Sequence, residues 1–259
     1  MNRVLKYVLL SLSGALIVAC MICMFLLGRA QRGQIICKNI QVHVQDSADI
    51  RFISSDEIKR SIIREYGRCI GTVLDSIDLV RIEDIVDSKS AVLKSQVYTT
   101  KDSVLHVDVT QRKPLVRFQQ GSSGFYADAD GYVFPLQSTY APHIQIVDGH
   151  IPVKVAAGHK GEIESPESRE WLMDMITMVR YIENDEDWKK IIVQIHVNED
   201  EDLVLVPREG QEKFIFGYPD QFEEKFGKFR KYYTAVVPKA GRDRYKVVDL
   251  RFNGQIVCK

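Results

Sequence analysis

Six histidines are the first residues to test for chemistry: His43, His106, His143, His150, His159 and His196. No pair forms an HExxH or HxH arrangement, and no spacing suits a recognised metal frame. His106 and His196 sit at polar positions of alternating stretches, which places them on solvated strand faces. Asp128-Ala129-Asp130-Gly131 has the acids of a calcium loop in part. It lacks the third acid before the glycine and the downstream glutamate, so a plain turn is the better reading. No GxSxG, Walker-type or dinucleotide-binding glycine pattern occurs. Cys69 has no nearby histidine to activate it. The residues predict no catalytic site, no metal site and no cofactor.

The chain holds five cysteines. Cys20 and Cys23 fall in an apolar run, which leaves Cys37, Cys69 and Cys258. An odd number is not a disulfide framework. One bridge and three buried thiols both remain open, and with no CxxC among the three a zinc or redox motif is absent.

The apolar run itself is Tyr7 to Leu27, 21 residues without a charge. At ~1.5 Å per residue its length suits a hydrocarbon core of ~30 Å. It predicts a single membrane helix after a stub of residues 1–6. Arg3 and Lys6 on one flank nearly balance Arg29, Arg32 and Lys38 on the other. Charge alone therefore decides little, but short basic tails stay in the cytoplasm and long domains are exported largely regardless of charge. Two rivals exist. A cleaved signal peptide needs a shorter core and a small-residue site, and Leu26-Leu27-Gly28-Arg29 is a poor one. Ile17-Val18-Ala19-Cys20 resembles a lipoprotein box, yet Met21 to Leu27 continues apolar where a lipoprotein turns polar.

Basic and acidic residues balance at 35 each. Residues 1–28 hold two basic and no acidic ones, so the remainder carries 33 against 35, net −2. A near-neutral soluble part lacks the basic face that nucleic acid requires. Its length suffices for one large or two modest cores.

The elements follow from periodicity. After a linker at residues 28–34, Ile35 to Val44 reads as a strand. Ser54 caps a helix carrying Ile58, Ile62 and Ile63, ended by Gly67 and Gly71. A second helix starts near Asp75 or Ser76, with Leu79, Ile82, Ile85 and Val86. Ala91 to Thr99 and Ser103 to Val109 form a hairpin. The order β-α-α-β-β makes a small α+β layer over residues 35–112. From Pro114 the rhythm shifts to short strands: Leu115 to Gln119, a hairpin at Phe125 to Phe134, Ile191 to Val197 with Leu203 to Val206, and Lys213 to Gly217. Helices run from Ser165-Pro166 to Ile182 and from Pro219 to Val236, the latter with a core stripe of Phe222, Phe226, Phe229 and Tyr233. Tyr245 to Cys258 closes as a tight hairpin on Asn253-Gly254. Residues 113–259 thus form a mixed α/β domain ending in an edge hairpin.

Three segments carry a family resemblance. Ala91 to Phe118, AVLKSQVYTTKDSVLHVDVTQRKPLVRF, leads into Val109-Thr110-Gln111-Arg112-Lys113-Pro114, which resembles a V-x-[EQ]-R-x-P junction. Phe125 to Leu136 is FYADADGYVFPL, and Tyr245 to Val257 is YKVVDLRFNGQIV. With the stub, membrane helix and β-α-α-β-β order, these resemble the bacterial division family FtsQ/DivIB, closest to forms from Bacteroidota. Departures are Ser88-Lys89-Ser90 where a proline is frequent, Gln111 where glutamate is common, and a last strand that ends at Lys259 without a tail. The resemblance implies a POTRA-type domain followed by a β-domain, with the bulk of the chain outside the cytoplasm at the division septum of the inner membrane. It implies a non-catalytic scaffold that links FtsB- and FtsL-like coiled-coil proteins to the septal peptidoglycan synthase complex. It also implies docking by strand addition at the β-domain edge, on Tyr245, Asp249, Leu250, Arg251, Phe252, Gln255, Ile256 and Val257. There Arg251 would pair a partner acid and Phe252 would anchor; Leu250 alternates with Val248 and fits core equally well. The alternative is a membrane-anchored POTRA module for outer-membrane protein assembly or secretion, against which only one such unit is visible.

Overall fold

The computed structural model describes residues 13–26, 35–47, 50–138, 140–242 and 244–259. Residues 13–26 are helical (α1) and exposed along their length, Leu16 at 68% and Met24 at 76%. The rest of the expected span, the stub at 1–6 and the whole linker at 28–34 lie outside the described residues. Among the described residues no helix is long and apolar enough to cross a membrane.

The chain divides into two compact units. The first comprises the residues up to Asp49 together with Ile53–Gln111; the second comprises Arg112–Lys259 with Ile50–Phe52.

In the first unit β1 covers Asn39–Val44. It starts later than its apolar pattern suggests, because residue 36 makes only an isolated bridge to Val73. Helix α2, Ser55–Glu65, starts where Ser54 Oγ accepts the Glu57 N–H at 3.2 Å. Ile58 and Ile62 are fully buried, whereas Ile63 turns outward at 54% exposure. Residues 74–76, where the second helix was expected to begin, form only a 3₁₀ turn. Helix α3, Leu79–Asp87, waits for Asp78, whose carboxylate accepts the Arg81 N–H at 3.1 Å. A capping side chain satisfies an orphan donor, so the cap sets the start. β2 (Val92–Thr99) and β3 (Val104–Gln111) complete a sheet of order β1-β3-β2, with β1 parallel to β3. Leu105, Val107 and Val109 of β3 are fully buried.

The second unit is one nine-stranded mixed sheet. In chain order its elements are β4 (Pro114–Gln120), β5 (Ser123–Asp128), β6 (Val133–Pro135), β7 (Gln145–Gly149), α4 (Pro166–Glu183), α5 (Glu186–Ile191), β8 (Ile192–Val197), β9 (Leu203–Pro207), β10 (Lys213–Gly217), α6 (Phe222–Lys231), a π-helical turn Tyr232–Val236, α7 (Val237–Ala240), β11 (Val247–Asp249) and β12 (Val257–Cys258). Spatial order is β12-β11-β10-β9-β8-β7-β4-β5-β6. Alternate residues of one face, Phe118, Val147, Ile195, Leu205, Phe214 and Val248, meet α4 to α6 in a single core. Their neighbours Arg117, Ile146, His196, Val204 and Ile215 stay partly open on the other face.

Three sequence expectations need correction here. β7 and α5 have no counterpart in the periodicity reading. The helix expected over Pro219–Val236 starts only after Gln221, which holds a left-handed φ of 49°, and it changes to π geometry at Tyr232. That change puts Tyr232 fully in the core, with Phe226 and Phe229, and leaves Tyr233 partly buried. The terminal hairpin is not tight. Its strands hold three and two residues, and seven residues, 250–256, connect them. A positive φ occurs at Gly254 but not Asn253, whereas the two-residue hairpin turn needs it at both. Asn253-Gly254 instead forms a local turn in which the Gln255 N–H reaches the Phe252 carbonyl at 3.4 Å.

Candidate partner-docking site

β12 is the outermost strand at one end of the nine-stranded sheet. Val247 and Lys259 exchange both backbone hydrogen bonds, at 3.1 and 2.9 Å, and Val248 then faces Cys258. Inward and outward groups alternate along an antiparallel strand. The Cys258 N–H and C=O therefore point away from β11. An edge of this kind is a template for another strand.

The connection 250–256 is held by charge. Asp249 is only 4% exposed. Its carboxylate accepts the Arg251 backbone N–H at 3.1 Å, Nε at 3.0 Å and Nη2 at 2.7 Å. Nη1 of Arg251 binds Asp202 Oδ2 at 2.6 Å. Burial pushes the Asp249 carboxyl up, but the Arg251 hydrogen bonds together outweigh it and hold it below its ordinary value. Asp249 in turn holds the guanidinium protonated above its usual range. The stem of Arg251 lies over Gly217, where an added Cβ would come within 2.8 Å of Arg251 Cγ. Gly217 has φ of +78°, so glycine is needed for both conformation and space. From α6, Lys228 Nζ donates to the Phe252 carbonyl at 2.9 Å, and Glu224 accepts the Gly254 N–H at 3.1 Å.

The eight residues named from the sequence separate by exposure. Phe252, at 45%, and Gln255 are exposed. Tyr245, Ile256 and Val257 are half-buried, and Tyr245 and Ile256 pack on the core edge. Leu250 is fully buried in the core and Asp249 lies beneath Arg251, so neither offers its side chain to a partner. The Arg251 guanidinium, expected to pair a partner acid, is bound by two carboxylates of its own chain. The edge strand is shorter than Gln255 to Cys258. Sequence reasoning missed Asp202, Gly217, Glu224 and Lys228. Only Gly217, just where β10 ends, carried a local signal.

The chemistry-bearing residues elsewhere have internal uses. Asp128 Oδ1 accepts the Asp130 and Tyr132 N–H groups at 3.0 and 2.9 Å, and its Oδ2 takes Arg112 Nη1 at 2.9 Å. The Arg112 guanidinium lies 3.4 Å from the Tyr132 ring centroid. His196 Nδ1 lies 2.9 Å from Asp148 Oδ1, and Gln194 holds the other oxygen at 2.6 Å. His106 stacks on Tyr98 and meets Thr100 Oγ1 at 2.9 Å. Among the described residues no group of three or more His, Cys, Asp or Glu is placed to hold a metal ion.

Comparison with known proteins agrees with this division. Residues 35–110 match the model of a POTRA-like domain. Residues 113–259, more than half of the chain, match the model described as FtsQ/DivIB, C-terminal related. No curated protein matches the chain. A POTRA-like unit followed by a sheet-rich unit of this kind places the chain in the FtsQ/DivIB family of non-catalytic, division-related scaffolds.

Proposed function

We propose that the protein is a single-pass inner-membrane scaffold of the division septum. Residues 7–27 anchor it, its N-terminus is cytoplasmic, and both units stand outside the cytoplasm. It joins FtsB- and FtsL-like coiled-coil proteins to the septal peptidoglycan synthase complex. The partner adds a strand to β12 and covers Phe252. The observation that carries this reading is the outermost position of β12, with the backbone groups of Cys258 aimed outward. The anchor reading is supported by a charge-free helix exposed along its described length. An apolar surface of that kind suits lipid rather than water.

The Arg251 clamp has a different role from partner pairing in this scheme. It fixes the 250–256 connection so that Phe252 is presented without loss of freedom on binding. The test is co-purification of the full chain, in detergent, with a co-expressed FtsB–FtsL pair. Ile256→Pro removes the backbone donor just before the edge strand and weakens capture. Phe252→Ala costs roughly 1–3 kcal/mol of binding as an anchor residue. Val257→Pro breaks an inward ladder bond and lowers folding stability instead. Undiminished capture by both Ile256→Pro and Phe252→Ala would place the docking surface elsewhere.

A further inference from the structure

In the first unit two cysteines are brought together from opposite ends of the α2 region. Ile36 and Val73 form an antiparallel bridge. The Cys37 N–H donates to the Thr72 carbonyl at 2.8 Å, and the Gly71 N–H donates to the Cys37 carbonyl at 2.8 Å. The Thr72 N–H closes a turn onto the Cys69 carbonyl at 3.1 Å. Cys37 therefore lies against residues 71 and 72, and Cys69 stands one tight turn before them. Facing residues of an antiparallel ribbon are ~4.5–5.5 Å apart and a turn spans less than ~7 Å, so residue 72 lies within that reach of each of the two cysteines. A disulfide needs Cα atoms ~4.4–6.8 Å apart. Both side chains are 1% exposed. Burial first, and the neighbouring Cys37 second, push the Cys69 thiol up from its ordinary value. Each thiol is spent on a weak contact, Cys37 Sγ to the Asn39 carbonyl at 3.4 Å and Cys69 Sγ to the Gly67 carbonyl at 3.9 Å.

We propose that Cys37 and Cys69 form an intramolecular disulfide when the chain folds in the presence of a disulfide oxidant. One thiolate attacks the oxidant's S–S bond and releases one thiol, leaving a mixed disulfide. The second thiolate attacks the chain's sulfur in that mixed disulfide and releases the other thiol. Two electrons and two protons pass from the cysteine pair to the oxidant, which ends as two thiols. Burial denies a bulky oxidant access to the folded unit, so the exchange belongs to folding or local opening. The bridge ties the lead-in to β1 onto the 69–72 turn and encloses α2. Cys258 lies on β12 in the other unit. Cys20 and Cys23 stand exposed on α1.

The test is refolding of the full chain from urea, in detergent micelles, in mixtures of oxidised and reduced glutathione. Acid quenching, alkylation and peptide mass mapping follow. The expected result is a linked pair of peptides bearing Cys37 and Cys69, with alkylated cysteines falling from all five by two as the mixture becomes oxidising. Cys37→Ala abolishes the linkage. The wild-type map decides the question even where that variant folds poorly. Alkylation of both Cys37 and Cys69 across all oxidising mixtures, linkage through Cys258, or glutathione adducts in place of the bridge would overturn the proposal.

Discussion

Removing Asp249 is the sharpest perturbation of the docking edge. Its carboxylate receives three hydrogen bonds from Arg251, at 3.1, 3.0 and 2.7 Å, while only 4% of the residue is exposed. Hydrogen bonds to charged groups contribute ~1.5–3 kcal/mol each, and breaking a buried ion pair costs ~3–5 kcal/mol. The Arg251 side chain, however, is 42% exposed and keeps Asp202, so water and that second carboxylate recover part of the loss. Asp249→Ala should therefore destabilise the second unit by roughly 2–3 kcal/mol. Asp249→Asn retains one acceptor and should cost less; Asp202→Ala, which removes one solvent-facing contact, less again. Both tryptophans, Trp171 and Trp188, lie in the core of this unit, so their fluorescence reports its unfolding alone. At a urea slope of about 2 kcal/mol per molar, Asp249→Ala moves the midpoint down by ~1–1.5 M. The pH dependence has a definite sign. The folded carboxyl titrates below its unfolded value, so its contribution is complete above the ordinary aspartate range and disappears as pH falls through the lower, folded value. Asp249→Ala should flatten the stability profile in that acid window. An Asp202→Ala loss equal to or larger than the Asp249→Ala loss, or an unchanged midpoint in Asp249→Ala, would refute the clamp.

Two further outcomes follow from the core and the open rim. Phe229 is fully buried, with its ring 3.9 Å from Phe214 and 4.9 Å from Trp188 between centroids, so Phe229→Ala should cost ~3–5 kcal/mol and shift the Trp188 emission, as measured by urea titration. The Tyr218 hydroxyl donates to Asp174 at 2.6 Å, chiefly through which its pKa is pushed up to about 12; ultraviolet titration should show Asp174→Asn returning it toward ordinary tyrosine, and an unchanged value would sink the assignment.

Local signals wrote much of this fold. Ser54 four residues before Ile58 announced α2, because capping and helical spacing act within one turn. Strict alternation in Leu105, Val107 and Val109 announced β3, because side chains of a strand alternate between faces. The Phe226 and Phe229 stripe announced a core helix, and the Tyr245 to Val257 segment together with the Val109 to Pro114 junction announced the family. β7 was silent: Gln145–Gly149 has two adjacent apolar residues, and it is a strand because β4 and β8 flank it in parallel, 29 and 48 residues away at Val116 and Ile195 with Gln145 and Val147. Nor could spacing show that Arg251 binds Asp202, 49 residues away, rather than a partner, or that seven residues rather than two join β11 to β12. Cap chemistry and periodicity are short-range and survive in the linear code. Pairing partners, sheet order and the fate of a charged side chain depend on which distant backbone arrives beside it, and packing alone decides that.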